Sequence, residues 1–272
     1  MMVNKGMEIK LPEAEQEQAV AGSLNDVRHV IAVMSGKGGV GKSTVTALIA
    51  STLAKSGFKV GILDADITGP SQPRAFGLKS QGLKGTMFGI TPLLTRSGIK
   101  MISTNFMLKE EDDPIVWRGP LLAGAVKQFW EETDWQELDY LVVDLPPGTG
   151  DVPLTVLQSI PVDGLVIVSS PQNLAYMVVN KAVKMANRMQ KPILGLIENM
   201  SEVICPQCKE PLKIFGESQG QFVSEQMGID FLGSLPWDTR LNELVDQGQV
   251  EQYTSPAINA IIEKVLNKTE KK

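Results

Sequence analysis

The sequence predicts an α/β protein built on one doubly wound, mostly parallel sheet with helices on both faces. Three observations predict it. The strand-like runs, such as HVIAVMS and LDYLVVDL, are nearly continuous in apolar residues, which is the pattern of strands covered on both sides. They alternate with helix-like stretches over about 240 residues. A glycine-rich segment joins the first such strand to the first helix, where open α/β sheets bind ligands.

Taken in order, residues 1–26 are polar, rich in Glu and Gln and weakly periodic, and are expected to form a flexible tail. Residues 27–268 are expected to form a single unit. Its first strand, HVIAVMS, leads through the glycine-rich loop into a helix from Lys42 to about Ser56. KVGILDAD and IKMIST follow as strands, then LDYLVVDL, GLVIVSS, KPILGLIEN and DFLGSL, with helical patterns between them. The last helix, about Ala257 to Asn267, places Ile258, Ile261, Ile262 and Val265 at helical spacing, which marks them as core. The Lys-rich end beyond it reads as solvated.

Composition excludes several classes. With 43% hydrophobic and 21% charged residues, the 272-residue chain has the balance of an ordinary globular protein. A net charge of −5 argues against sequence-independent nucleic-acid binding, which needs a basic surface. No apolar run reaches the length of roughly 18 residues that a membrane span requires, so neither membrane nor nucleic acid is expected as a partner. The first residues carry acids and lack the apolar core of a signal peptide, so a cytoplasmic location is expected. Two cysteines cannot build a disulfide framework and are expected as thiols or metal ligands.

The segment Gly36-Lys37-Gly38-Gly39-Val40-Gly41-Lys42-Ser43 fits G-x-x-x-x-G-K-[ST] between a strand and the helical pattern beginning at Thr44. Glycines there let backbone N–H groups converge on phosphates, and the helix N-terminus favours negative charge. Lys42 is expected on the β- and γ-phosphates of ATP and the Ser43 hydroxyl on Mg²⁺. An incidental strand-to-helix turn would not need this lysine and serine together.

Three carboxylates stand at strand ends. Asp64 and Asp66 close GILDAD, and Asp144 closes LDYLVVD in a Walker B pattern. Asp144 is expected to accept from a Mg²⁺-bound water or from the Ser43 hydroxyl. D-x-D-x-x-G-P is also rich in turn formers. The Pro146–Asp151 loop, PPGTGD, is suited to sensing a γ-phosphate through a backbone N–H, with Asp151 alternatively serving as a helix N-cap.

Cys205 and Cys208, in CPQC, can reach one metal from a single short loop, but two ligands half-fill a tetrahedral site. His29 lies too early in the chain to be an expected third ligand. The pair is redox-active, inert, or completed by two sulfurs from a second subunit. In the last arrangement, four thiolates hold either a 4Fe–4S cluster or a structural Zn²⁺, and spacing does not choose between them.

The second lysine, Lys37 in KGGVGK, resembles the deviant Walker A of the MinD/ParA/nitrogenase-iron-protein group, in which that lysine reaches the partner's nucleotide across a dimer interface. By the same resemblance Asp66 orients or activates the attacking water and Asp64 supports the Mg²⁺ shell. VMSGKGGVGKSTV, LDADITGPSQPRAFGL, VWRGP, LDYLVVDLPPGTGD, SSPQNLA, GLIENMS, CPQC, IFGESQG and FLGSLPWD together resemble the Mrp/ApbC-type iron–sulfur cluster carrier ATPases from about Val27 to Tyr253.

That resemblance implies a homodimeric P-loop ATPase that binds a 4Fe–4S cluster between its subunits through Cys205 and Cys208 and delivers it to apoproteins. It also implies that Asn199 and the Pro236–Asp238 loop line the adenine. The chain departs from many relatives in lacking cysteines in residues 1–26 and in having Lys209 where many have Gly. A MinD/ParA-like positioning ATPase competes with this reading, but it would leave CPQC without a role and needs a membrane-seeking final helix or a basic face. A second competitor is an ATPase stapled by zinc between subunits. For a small-molecule kinase on the same fold, the sequence shows no substrate pocket.

Overall fold

The computed structural model describes residues 26–66, 71–79, 82–86, 89–107, 119–172, 175–205, 207–208 and 210–270. The predicted tail up to residue 25, residues 67–70 after Asp66, 116–118 of VWRGP, Asn173, Leu174, Pro206, Lys209 and the last two lysines lie outside them.

Apolar runs become strands where expected. In chain order the elements are β1 (Asp26–Ser35), α1 (Lys42–Lys55), β2 (Val60–Asp64), α2 (Gln72–Ala75), β3 (Lys84–Thr86), β4 (Gly89–Thr91), β5 (Leu93–Leu94) and β6 (Lys100–Ser103). They continue with α3 (Gly119–Glu132), β7 (Glu137–Asp144), α4 (Asp151–Ser159), β8 (Gly164–Ser169), α5 (Ala175–Arg188), β9 (Ile193–Ile204) and β10 (Pro211–Leu212). The last are α6 (Gly220–Met227), β11 (Phe231–Trp237), α7 (Thr239–Asp246) and α8 (Pro256–Thr269).

The main sheet runs β10-β9-β8-β1-β7-β2-β6-β5, with β11 also on β9. From β9 to β6 every pairing is parallel, as is β11 on β9; β5 and β10 add antiparallel edges. Alternate residues of β1 face opposite layers. Ile31 and Val33 pack with Leu48 and Ile49 of α1 and with Ile258, Ile261, Ile262 and Val265 of α8. Val30, Ala32 and Met34 pack with Val126 and Phe129 of α3, Val156 and Leu157 of α4, and Val179 and Ala182 of α5. Burial on both faces explains why these strands do not alternate in sequence.

The last helix is longer than its predicted core, beginning after Ser255, whose hydroxyl accepts from the Ile258 N–H at 3.3 Å. Asp151 does not cap α4: Gly150 occupies the N-cap, and Asp151 is the first helical residue, where its charge still suits the dipole. Pro236 and Trp237 belong to β11, not to a loop. The strand predicted to end near Asn199 runs on to Ile204, through Met200 at φ 61° and a register irregularity against β11. Among the described residues no helix is long and apolar enough to cross a membrane.

Candidate functional site

Strand order builds the site. β7 lies between β1 and β2, in parallel register that sets Val33 beside Asp144 and Asp64 beside Asp144. The carboxyl ends of three strands therefore present the glycine-rich loop, Asp64 and Asp144 at one edge, where β1 separates the two wings of the sheet.

Lys42, at the start of α1, folds into this edge. Its Nζ lies 2.5 Å from Asp144 Oδ1, 3.2 Å from Asp66 Oδ2 and 3.3 Å from Ser43 Oγ. Burial alone would lower the Lys42 pKa, but the carboxylates of Asp144 and Asp66 outweigh it and hold it above the ordinary lysine value. Thr46, one helical turn on, donates to the same Asp144 oxygen at 3.1 Å.

Gln72, in α2, donates from Nε2 to the second Asp144 oxygen at 2.9 Å and to the Ser43 carbonyl at 2.8 Å. Asp64 is fully buried; it accepts from Ser103 Oγ at 3.0 Å and from the Asp66 N–H at 3.2 Å. Burial, and then the neighbouring Asp144 charge, push its carboxyl well above the usual range.

The loop is open to a ligand at Gly38 and Gly39, where an added Cβ would meet nothing within 4 Å. It is closed beneath. A Cβ at Gly36 would stand 2.4 Å from the Val178 carbonyl of α5, and one at Gly41 (φ 78°) would stand 2.1 Å from Asn199 Nδ2. Asn199 donates to the Val40 carbonyl at 3.0 Å, and Val40 itself is buried. Thr44 sits half-exposed on the first turn of α1. Lys37 is hydrogen-bonded by its ammonium to Gln172 of its own chain, just beyond β8. The Pro146–Asp151 loop is tied back by the Gly148 N–H to the Ser35 carbonyl at 2.9 Å.

A magnesium nucleotide fits these residues. The donors at the edge are hard oxygens, those of the Ser43 hydroxyl and the Asp144 carboxylate, and a cationic ammonium already rests among the carboxylates. Among the described residues no three acidic, cysteine or histidine side chains converge on an ion. That suits Mg²⁺, which keeps several waters and binds through one or two protein oxygens and the substrate's phosphates.

The residues predicted around a base are only partly brought together. Leu235 of β11 pairs with Asn199 of β9, so Pro236 follows at the level of Asn199. Asp238 follows them: its carboxylate caps α7 by accepting from the Arg240 N–H at 2.9 Å, and it accepts from the Tyr253 hydroxyl at 2.9 Å.

Cys205 and Cys208 stand at the tip of the hairpin made by β9 and β10, and the Cys205 N–H closes it onto the Glu210 carbonyl at 3.0 Å. Both are free thiols, Cys208 exposed. Hydrogen bonds from the backbone N–H groups of Cys208 and Gln207, and then from the Cys208 thiol, hold Cys205 below the ordinary cysteine value, which favours the thiolate a metal needs. The chain beyond the hairpin, where it enters α6, is gripped by buried Glu198, which accepts from the Ser218 hydroxyl and from the Gln219 N–H at 2.8 Å. His29 packs on Tyr140 with ring centroids 5.2 Å apart, toward the other end of β1.

Sequence reasoning missed Gln72, Thr46, Ser103 and Glu198. Thr46 was within reach of it, since i to i+4 spacing from Lys42 puts both on one helix face. Gln72 gave no signal inside a segment that reads as a turn.

Comparison with known proteins agrees with this geometry. Residues 26–270 match the family described as ParA: NUBPL iron-transfer P-loop NTPase. An iron-sulfur cluster carrier protein of Clostridium perfringens is 44% identical over 240 residues, covering 86% of this chain and 84% of the relative. One from Methanocaldococcus jannaschii is 40% identical over 264 residues, covering 95% and 91%. Among solved structures, a nucleotide-binding protein from Archaeoglobus fulgidus in complex with ADP, in which cobalt was found, is 46% identical with a TM-score of 0.77, covering 86% of this chain and 91% of that one.

Proposed function

Given that the chain belongs to the NUBPL iron-transfer P-loop NTPase family, we propose that it is an ATP-binding and ATP-hydrolysing carrier of a 4Fe–4S cluster, held between two copies of the chain and handed to apoproteins. One observation carries the reading. A buried lysine–carboxylate cluster behind the glycine-rich loop and a pair of free thiols stand beyond the carboxyl ends of parallel strands of one sheet, the loop after β1 and the thiols after β9, with β8 between them.

In this reading the loop residues Gly36 to Thr44 bind the phosphates of ATP, with Lys42 moving from Asp144 and Asp66 onto the β- and γ-phosphates. Ser43 and Asp144 hold Mg²⁺, with Asp64 behind them. The ion, when bound, neutralises charge developing on the transferred phosphoryl group. Asp66 orients the attacking water once Lys42 has moved onto the phosphates.

Lys37 exchanges Gln172 for the partner's nucleotide, and Asn199, Pro236 and Asp238 flank the base. Cys205 and Cys208, with the partner's pair, supply four thiolates to the cluster, which is cargo and not a resident group. Hydrolysis relaxes the segments after Asp66 and from Pro146 to Asp151, and nucleotide state changes cluster exposure to the extent that it changes dimer geometry.

The positioning-ATPase alternative loses support from α8, whose apolar residues Ile258, Ile261, Ile262 and Val265 are buried against α1 and β1 and are not available to a membrane. The zinc alternative is separated by metal content. After anaerobic reconstitution with iron and sulfide, about four irons and four sulfides per dimer are expected, and both are lost in Cys205→Ser and in Cys208→Ser. Zinc alone, or iron indifferent to either substitution, would remove the carrier function and leave the nucleotide site standing.

A further inference from the structure

Gln72 is 1% exposed, and only one end of its amide is used. Nε2 faces two acceptors, the Asp144 carboxylate at 2.9 Å and the Ser43 carbonyl at 2.8 Å, so the amide cannot be turned over without setting oxygen against oxygen. Its Oε1 is therefore fixed as the free end, and it is buried without a hydrogen-bond partner. A buried unpartnered amide oxygen costs about 1–3 kcal/mol, so it persists where a ligand later supplies the donor. The residues touching Nε2 belong to both expected magnesium ligands, Ser43 and Asp144.

We propose that Gln72 is a positioning residue of the magnesium–nucleotide site: its N–H₂ locks the first turn of α1 to Asp144, and its oxygen accepts a hydrogen bond from a water carried in by the ion. The side-chain type fits this double task. A carboxylate would add a further negative charge beside Asp144, Asp64 and Asp66, while a lysine would compete with Lys42 for the same oxygens. This inference rests on the magnesium–ATP reading of the loop.

The test uses the full-length chain and calorimetric titration with a non-hydrolysable ATP analogue, once with Mg²⁺ and once in chelator, for wild type, Gln72→Met and Gln72→Glu. The quantity read is the ratio of the two affinities. Gln72→Met, which keeps the length and removes both polar groups, is expected to lower that ratio about tenfold while changing the chelator arm less than about threefold. Gln72→Glu keeps an acceptor oxygen and adds a negative charge that favours the cation and repels metal-free nucleotide, so it is expected not to lower the ratio below wild type, whatever it costs in overall affinity.

A merely structural role would weaken both arms alike, and an unchanged ratio in Gln72→Met overturns the inference. Should that variant fail to melt cooperatively, Gln72→Asn, which draws the amide back by one methylene, is expected to lower the ratio as well, and an unchanged ratio there overturns it equally. Wild type that binds the analogue in neither arm overturns the reading of the site itself, which is a different failure.

Discussion

At the phosphate loop, Lys42 is enclosed by Asp144, Asp66 and Ser43, and Gln72 and Thr46 pin Asp144 from the other sides; all of these but the half-exposed Ser43 are buried, and they belong to one chain. At the cysteine hairpin, two thiols stand on a short antiparallel ribbon flanked by the exposed apolar residues Ile204, Leu212 and Ile214. The first region satisfies its charges internally before any ligand arrives. The second offers two free thiols and, among the described residues, no counter-charge to them. A lysine–carboxylate cluster contained in one chain forms without a partner, whereas two thiols half-fill a four-ligand site, so a ligand that needs four would depend on a second copy.

This contrast is most severely tested by removing the cation at its centre. Lys42→Met leaves buried carboxylates unopposed, and a stability loss of about 3–5 kcal/mol in urea is expected together with loss of nucleotide binding. A variant as stable as wild type would show that the cluster is not the closed unit described. The hairpin should behave in the opposite way. Cys205→Ser or Cys208→Ser is expected to abolish cysteine-dependent iron while leaving nucleotide affinity within about twofold, since the two regions share no side-chain contact through these thiols. A larger loss of affinity would merge the regions.

Glu198 sharpens the boundary between them. Glu198→Ala frees Ser218 and the Gln219 N–H and is expected to cost about 2 kcal/mol, with faster labelling of Cys208 by a thiol reagent. The smallest effect is expected at Asp64. Because burial and Asp144 raise its pKa, the folded state holds this proton more tightly than the unfolded chain. The stability so gained is complete below the ordinary carboxylate value and is lost as pH rises toward the folded value. Asp64→Asn should therefore flatten that decline and raise the urea midpoint of the nucleotide-free protein at neutral pH. A slope identical to wild type would place the titration elsewhere.

These regions also differ in how far they could be read from the sequence. The loop was legible because its chemistry is local: eight consecutive residues, a strand before and a helix after. Asp64, Asp66 and Asp144 were recognisable as strand-end carboxylates, but that Asp64 and Asp144 are neighbours depends on β7 inserting between β1 and β2, which no local pattern encodes. Gln72 was hidden for the same reason, since its partners lie 29 and 72 positions away.

The cysteine pair announced metal chemistry through its spacing, yet the hairpin that presents it was not foreseen. β10 is only two residues long and ends in a run too short to carry alternation. Asp238, read from the sequence as lining a ligand, also caps α7, a task that only the fold reveals because Asp is equally apt for an N-cap.

β9 has one more consequence. Asn199 touches the phosphate loop and Cys205 begins the thiol tip, six residues further along the same strand, a span of at most about 20 Å. Within one chain the strand thus acts as a tether: it bounds the distance between the loop and the thiols, and Met200, at φ 61°, interrupts its regular backbone between them. A donor on the nucleotide and an acceptor on Cys208 would read any change across that span as a change of distance, turning a step of the cycle into an optical signal.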